Sequence, residues 1–143
     1  MKKRVLFVCT HNACRSQMAE ALLQLRYGED YEAYSAGTAP SRVNPWAIRA
    51  PRELGSDISG QVSKHVDEYL GETFDLVVTT CDSAEETCPI FPGARETIHQ
   101  GFENPAAAAG SNERILNVFR CVRDEIDRWI QATFDPIDRS ASE

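Results

Sequence analysis

No stretch of this 143-residue chain approaches the roughly 20 consecutive apolar residues that a bilayer-spanning helix needs. The basic start Met1-Lys2-Lys3-Arg4 leads into only five apolar residues, Val5 to Cys9, too few for the core of a secretory signal. The cytoplasm is therefore the expected location. Basic charge is also scarce: 15 Lys+Arg stand against 22 Asp+Glu, a net charge of −7, so nucleic acid and anionic membrane surfaces are not expected partners. Any anion must be held locally. Internal repeats are lacking, and the only low-complexity run is Ala106 to Ala109. With 42% hydrophobic and 26% charged residues the composition is that of an ordinary globular protein, and the length suits one domain over 1–143 rather than two. Residues after about Asp135 are expected to fray, and a monomer is the default expectation.

What is present alternates between strand and helix patterns. Arg4 to Val8 is an unbroken apolar run rich in β-branched residues, the signature of a strand buried on both faces of a parallel sheet, and Leu76 to Thr80 repeats it. Between them, Ser16 to Tyr27 carries Met18, Leu22 and Leu25 at helical spacing before Gly28, and Tyr31 to Ala36 reads as a further strand before Gly37. Asn44-Pro45 reads as an N-cap with proline at the first helical position, and Pro51 should keep that helix short or kinked. A short helix is expected over Lys64 to Leu70 and a fourth strand over Glu96 to His99. A long last helix is expected to be capped by Ser111-Asn112, its apolar stripe formed by Ile115, Val118, Phe119, Val122, Ile126, Trp129 and Ile130. The sum is an α/β fold: a doubly wound, four-stranded, mostly parallel sheet with helices on both faces. Such sheets bind ligands beyond the carboxyl ends of their strands, where strand order reverses. Cys9 and Cys81 each end a strand at that edge.

Cys9-Thr10-His11-Asn12-Ala13-Cys14-Arg15-Ser16 places a cysteine, five residues and an arginine between a strand and a helix. A short loop entering a helix N-terminus turns successive backbone N–H groups into one concavity and adds the positive end of the helix, which makes a pocket for a tetrahedral oxyanion. Thr10, His11, Asn12, Ala13, Cys14, Arg15 and Ser16 are the candidate binding residues. Arg15 can hold two anion oxygens in a bidentate fork. The same field favours the thiolate form of Cys9, the nucleophilic one, and the Ser16 hydroxyl can donate to the sulfur. His11 is either part of this site or simply exposed; Asn12 either tolerates a left-handed conformation that holds the loop together or is only a polar loop residue. Five cysteines in a reducing compartment point to catalysis, redox chemistry or metal rather than structural disulfides. Zinc is disfavoured, because the spacings contain no C-x2-C pair and no suitably placed histidine; no metal and no cofactor are expected. Cys14 and Cys121 read as small packing residues.

This loop, with the following Gln17-Met18-Ala19-Glu20, resembles the low-molecular-weight protein tyrosine phosphatase superfamily, and within it the arsenate reductases that work with thioredoxin. The resemblance extends through Tyr34-Ser35-Ala36-Gly37, Val43-Asn44-Pro45, Asp57-Ile58-Ser59, Asp75 to Thr79, Cys81, Cys88-Pro89-Ile90, Gly101-Phe102 and Val122 to Ile126. It implies that Cys9 and Arg15 are catalytic and that Cys81 and Cys88 form a second pair, which phosphatases of this fold do not need. Cys81 is the candidate resolving thiol, and Cys88, in a polar acidic segment, can carry the oxidation toward the surface. The implied reaction reduces arsenate to arsenite, with phosphate or sulfate able to enter the same loop. Thioredoxin is the implied reductant, with glutaredoxin or a small thiol as substitutes.

Two departures from the pattern matter. Superfamily phosphatases carry an Asp before a late Pro to protonate the leaving oxygen; here the pair is Asn104-Pro105, and an amide is no general acid. Some of the reductases hold potassium with side chains matching Asn12, Glu20, Ser35 and an Asp that aligns with Lys64. A lysine cannot ligate a cation, so its own charge is expected to replace the ion and to pair with Glu20. A phosphatase using only Cys9 and Arg15, and a redox-switched oxyanion-binding module with little turnover, are the competing readings.

Overall fold

The computed structural model describes residues 2–56, 58, 60–80 and 91–134. The apolar run after Lys2 forms strand β1 (Lys3–Cys9), whose Val5 to Cys9 are all buried. It lies between β2 (Tyr31–Gly37) and β3 (Leu76–Thr79), and β4 (Thr97–His99) pairs with β3. Every pairing is parallel and the order is β2-β1-β3-β4. The chain moves from β1 outward to β2, then returns to the other side of β1 for β3. The strand order therefore reverses beside β1, and the crevice at its carboxyl end is the expected ligand position.

The pleat of β1 divides the core. Val5 and Phe7 point to one face with Val78, where helices α1 (Arg15–Tyr27), α2 (Pro45–Arg52) and α3 (Asn112–Phe134) pack. Leu6, Val8 and Val77 point to the other, covered among the described residues by a 3₁₀ turn over Val66–Tyr69 and by Phe74 and Phe91. That turn replaces the α-helix expected over Lys64 to Leu70: Asp67 N donates to the His65 ring and His65 N to Glu68, which completes a capping box, but no helix follows.

The remaining expectations shift in detail. Asn44 caps α2 by accepting from Trp46 N, and Pro51 sits in the last turn, where the missing N–H ends the helix one residue later. The buried face of α1 is Met18, Ala19, Ala21, Leu22 and Leu23, and Leu25 is exposed, because the face is centred on Met18 and Leu22. Ser111 Oγ accepts from Arg114 N at the start of α3. The α3 stripe runs through Leu116, Phe119, Val122, Ile126, Ile130 and Phe134, leaving Ile115, Val118 and Trp129 at its margin. Cys121 lies two residues, about 200°, around the helix from Phe119 and is exposed, which corrects its reading as a packing residue. The tail after Asp135 lies outside the described residues.

Two charged residues on the buried stripe tie the helices together. Asp127 accepts two bonds from the Arg26 guanidinium, at 2.9 and 2.8 Å, joining α3 to α1. Arg123 donates to Ala50 O at 2.9 Å and to Glu53 Oε1 at 2.8 Å, so it closes the carboxyl end of α2. Glu53 also receives Arg120, and that bond first, with Arg123 next, holds its carboxyl down at about 2 against an ordinary 4.5. A depressed carboxylate stabilises the fold above its unfolded value and loses that contribution as pH falls through the folded one. Glu53→Gln should therefore be less stable than the parent at pH 7, the gap in urea midpoint closing between about pH 4.5 and pH 2. A gap independent of pH would rule the carboxylate out as its source.

Candidate active site

β1 ends at Cys9 and α1 begins at Arg15, so residues 10–14 must turn the chain at the sheet edge. The carbonyls of that turn all find partners on its outer side. Ala39 N donates to Thr10 O (2.8 Å), Ser41 N to His11 O (3.2 Å) and Asn44 N to Ala13 O (3.0 Å). Ser63 Oγ (2.7 Å) and Gln17 Nε2 (3.1 Å) donate to Asn12 O. In a planar trans peptide the next residue's N–H points opposite to each carbonyl. The N–H groups of His11, Asn12, Ala13 and Cys14 consequently face the other side, toward the sulfur of Cys9 and the start of α1. This is an anion cradle built from backbone, as the loop length predicts. Gly37, at the end of β2, is required for it: a Cβ there would stand 2.5 Å from Thr10 O and 2.9 Å from Cys9 O.

The Cys9 sulfur is buried and receives Asn12 N at 3.2 Å, and the Ser16 hydroxyl lies 2.8 Å away. Asn12 is itself fully buried, with φ 50°, the left-handed conformation that asparagine tolerates better than most residues. Lys64 N, a backbone group that can only donate, bonds Asn12 Oδ1 at 2.9 Å. The amide orientation follows: Nδ2 must face Ser16 Oγ, at 2.8 Å. With that oxygen accepting from Asn12, the hydroxyl proton is left to point at the Cys9 sulfur. Two donors thus meet one sulfur, which favours negative charge there.

Arg15 is 4% exposed, and its Nη1 reaches Phe102 O at 3.2 Å and Thr80 O at 3.4 Å. The guanidinium is thereby fixed between the loop and the ends of β3 and of the segment after β4. Cys14 is buried among apolar groups, and that burial chiefly, with the nearby Cys9 adding to it and Arg15 opposing, pushes its thiol up to about 12. It stays protonated and packs, as read from the sequence. His11 is exposed and its Nδ1 contacts Ala39 O at 3.0 Å on the outer side of the loop. Ala13 and Cys14 line a surface groove with Arg42, Val43 and Ala106. Cys81 and Cys88 lie outside the described residues.

The sequence motif missed the back of the loop. Gln17, in the first turn of α1 and fully buried, has its amide nitrogen on Asn12 O, Asn12 Oδ1 (2.9 Å) and Val62 O (3.0 Å), and its oxygen accepts from Gln61. Gln61 and Val62 lie 44 and 45 residues from Gln17 in the chain, and no local spacing signals them.

The potassium set of some of the reductases that the sequence resembles does not fit here. Asn12 Oδ1 already accepts two bonds, Ser35 Oγ donates to Glu20 Oε1, and the Lys64 ammonium donates to Val62 O at 2.9 Å. Burial pushes the Glu20 carboxyl above its ordinary value, and the Ser35 hydroxyl and then the Lys64 charge pull it partly back. Lys64 thus acts on Glu20 through space, without an ion-pair contact between them. Asn104 is also committed: its Oδ1 accepts from Ala106 N at 3.1 Å and caps a 3₁₀ turn over Pro105–Ala107. Its neighbour Glu103 is exposed and lines a surface cavity with Arg114 and Cys121 of α3, away from the cradle. Among the described residues no group of three or more His, Cys, Asp or Glu is placed to hold a metal, and no helix is long and apolar enough to cross a membrane.

The comparisons with known proteins agree with this geometry. A protein named arsenate reductase from Halalkalibacterium halodurans is 46% identical over 130 residues, 91% of this chain and 94% of its own. A solved structure described as an arsenate reductase in the phosphate binding state superposes with a TM-score of 0.78 at 32% identity, covering 91% of this chain and 95% of that one. The thioredoxin-dependent arsenate reductase of Corynebacterium glutamicum superposes at 0.62 with 28% identity, covering 92% of this chain and 63% of that one. Residues 4–142 match the model of the low molecular weight phosphotyrosine protein phosphatase family, and it is to this family that the chain belongs.

Proposed function

We propose that the chain is an arsenate reductase, in which Cys9 attacks arsenic held by the loop N–H groups and Arg15, and Cys81 and Cys88 carry the oxidation away. The cradle N–H groups and the guanidinium bind the oxyanion and align arsenic with the sulfur. The Cys9 thiolate displaces one arsenate oxygen as water and forms a sulfur–arsenic(V) bond. The Cys81 thiolate then attacks the Cys9 sulfur. The sulfur–arsenic bond breaks with its electron pair going to arsenic, which leaves as arsenite and has gained two electrons. Cys9 and Cys81 are left as a disulfide. Cys88 attacks Cys81, Cys9 departs as thiolate, and a dithiol reductant reduces the resulting Cys81–Cys88 disulfide. A thioredoxin-like protein near −270 mV suits that step, as the name of the Corynebacterium relative suggests. Repeated return of three thiols to the reduced state also suits a reducing compartment, the cytoplasm.

One observation carries the reading beyond oxyanion binding. Thr79 pairs with Val8, and Thr80 donates through its N–H (2.9 Å) and its hydroxyl (3.1 Å) to Val8 O, so the chain reaches residue 81 from the strand position beside Cys9. That places Thr80, the last described residue before Cys81, beside Cys9, and a cysteine next in the chain suits a disulfide, which spans roughly 4.4–6.8 Å between α-carbons. The test is a thiol count before and after arsenate without oxygen. Two thiols per chain should disappear, mapping to Cys81 and Cys88, and Cys88→Ser should complete one turnover and stop. Continued turnover of Cys88→Ser with thioredoxin would overturn the relay, and unchanged thiols would overturn arsenate reduction.

Asn104 bears on the phosphatase reading. Its amide holds the turn but cannot protonate an ester oxygen, and Asp caps such a turn as well as Asn does. Asn104→Asp should fold normally and raise aryl phosphate hydrolysis by roughly 10²-fold, the lower end of what a general acid contributes. No gain would show that another group already supplies that proton. The commitment of Asn12, Ser35 and Lys64 leads to a further expectation: replacing sodium with potassium at constant ionic strength leaves arsenate turnover unchanged, whereas strong stimulation would mean that the ammonium does not substitute for the ion.

A further inference from the structure

The cradle faces the anion, but a heavily bonded polar side chain behind it, that of Gln17, faces the other way. Gln17 is 0% exposed, and its amide bonds the back of the loop and residues Gln61 and Val62. Its two N–H bonds are shared among Asn12 O, Asn12 Oδ1 and Val62 O, all of which can only accept, so the amide orientation is fixed. Ser63 Oγ adds a second donor to Asn12 O, at 2.7 Å. The segment that supplies Val62 and Ser63 is anchored independently, because Gly37 N donates to Lys64 O (2.8 Å) and Gly37 pairs with His65 as an added edge of the sheet.

We propose that Gln17, together with Ser63, is a positioning residue for the Cys9 sulfur: it latches Asn12 from behind, so that the Asn12 amide faces Ser16 and the Ser16 proton faces Cys9. The chain of bonds is continuous. Gln17 and Ser63 hold the Asn12 peptide in its left-handed turn, and Gln17 shares Asn12 Oδ1 with Lys64 N. Asn12 Nδ2 then supplies Ser16 Oγ, and Ser16 lies 2.8 Å from the sulfur. Without the latch, nothing but Lys64 N prevents the amide from turning over, and a turned amide would present its oxygen to Ser16 and draw the hydroxyl proton away from the sulfur. The charged and titratable groups around the site, Arg15 and Cys14 on the loop and Lys64 and Glu20 behind it, make no bond to Gln17.

The inference rests on Cys9 as the nucleophile but not on arsenate as the substrate, so the test reads the sulfur directly. Iodoacetamide alkylation, quantified by mass spectrometry at the Cys9 peptide alone, is measured as a function of pH. Gln17→Met keeps the side chain's length and removes its bonds. Its profile should move toward higher pH by about one unit, a roughly tenfold slower reaction below both midpoints. Ser63→Ala should move it in the same direction and Ser63→Thr should restore it. Ser16→Ala interrupts the path, so adding Gln17→Met to it should produce no further shift. An unchanged profile in a folded Gln17→Met protein, or additive shifts in the double variant, would overturn the proposal. If Gln17→Met fails to fold, the Ser63→Ala and Ser63→Thr pair decides alone, equal profiles for the two sinking it. Absence of arsenate turnover in the parent protein, alongside the expected shifts in the variants, would instead count against the proposed reaction and leave the latch standing.

Discussion

Four consecutive carbonyls, from Thr10 to Ala13, are bonded outward to backbone and side chains of flanking segments, and everything else at the site depends on this. A peptide plane has two sides, and fixing its oxygen fixes its hydrogen. The cradle is thus made by residues that never touch the anion: Ala39, Ser41 and Asn44 on one flank, Ser63 on the other. It explains why the loop tolerates ordinary side chains such as Thr10 and Ala13 while requiring glycine at 37, where the end of β2 comes against the loop backbone. Rigid donors already aimed at the ligand need no reorganisation when charge arrives, which is the condition under which such donors contribute most.

The sheet supplies the second half of the arrangement. Because strand order reverses beside β1, the carboxyl ends of β1 and β3 lie side by side at one sheet edge. Arg15 bonds Thr80 O and Phe102 O there, so the residue proposed to grip the anion also fixes where the chain stands just ahead of Cys81. Oxyanion binding and the proposed approach of a second thiol share one structural cause. A parallel sheet suits this, since its strands end together at one edge.

Legibility from sequence followed the range of the interactions. The strand, the Cys-x5-Arg loop and the helix after it are contiguous, and their chemistry was readable from residue types and spacing. The parallel character of the sheet was readable from continuous apolar runs, but its strand order was not. The 3₁₀ turn at 66–69 was not, because His65 and Glu68 start a helix that the short segment, pinned by the pairing of His65 with Gly37, cannot extend. Leu25 and Cys121 were misplaced for a related reason: a helical stripe is defined only to within a residue, and the partner helix decides where its centre falls. Arg123 and Asp127 interrupt the apolar face of α3, and their partners elsewhere, Ala50 and Glu53 at the end of α2 and Arg26 on α1, explain them. Gln17 and Ser63 are the clearest case. A glutamine in the first turn of a helix and a serine in a loop carry no signal alone, and their role exists only once residues 46 apart meet at Asn12.

Binding geometry cannot by itself select among tetrahedral oxyanions, because N–H groups and a guanidinium meet phosphate and arsenate alike. Discrimination has to follow from what the bound atom can do next. A phosphoryl group reaches Cys9 only by cleavage of an ester and leaves it only by hydrolysis of the thiol adduct, and the first of these steps wants a proton donor at the leaving oxygen. Asn104 is not one, and Glu103 points into a different cavity. Arsenic(V) attached to the same sulfur has another exit, since a second thiol can take Cys9 and return the bonding pair to an element stable two oxidation levels lower. That exit needs no acid at position 104 and makes use of two cysteines that ester hydrolysis would leave idle. The amide at 104 therefore disfavours the phosphate reaction, while the proposed relay through 81 and 88 gives arsenate a route that ester hydrolysis does not use.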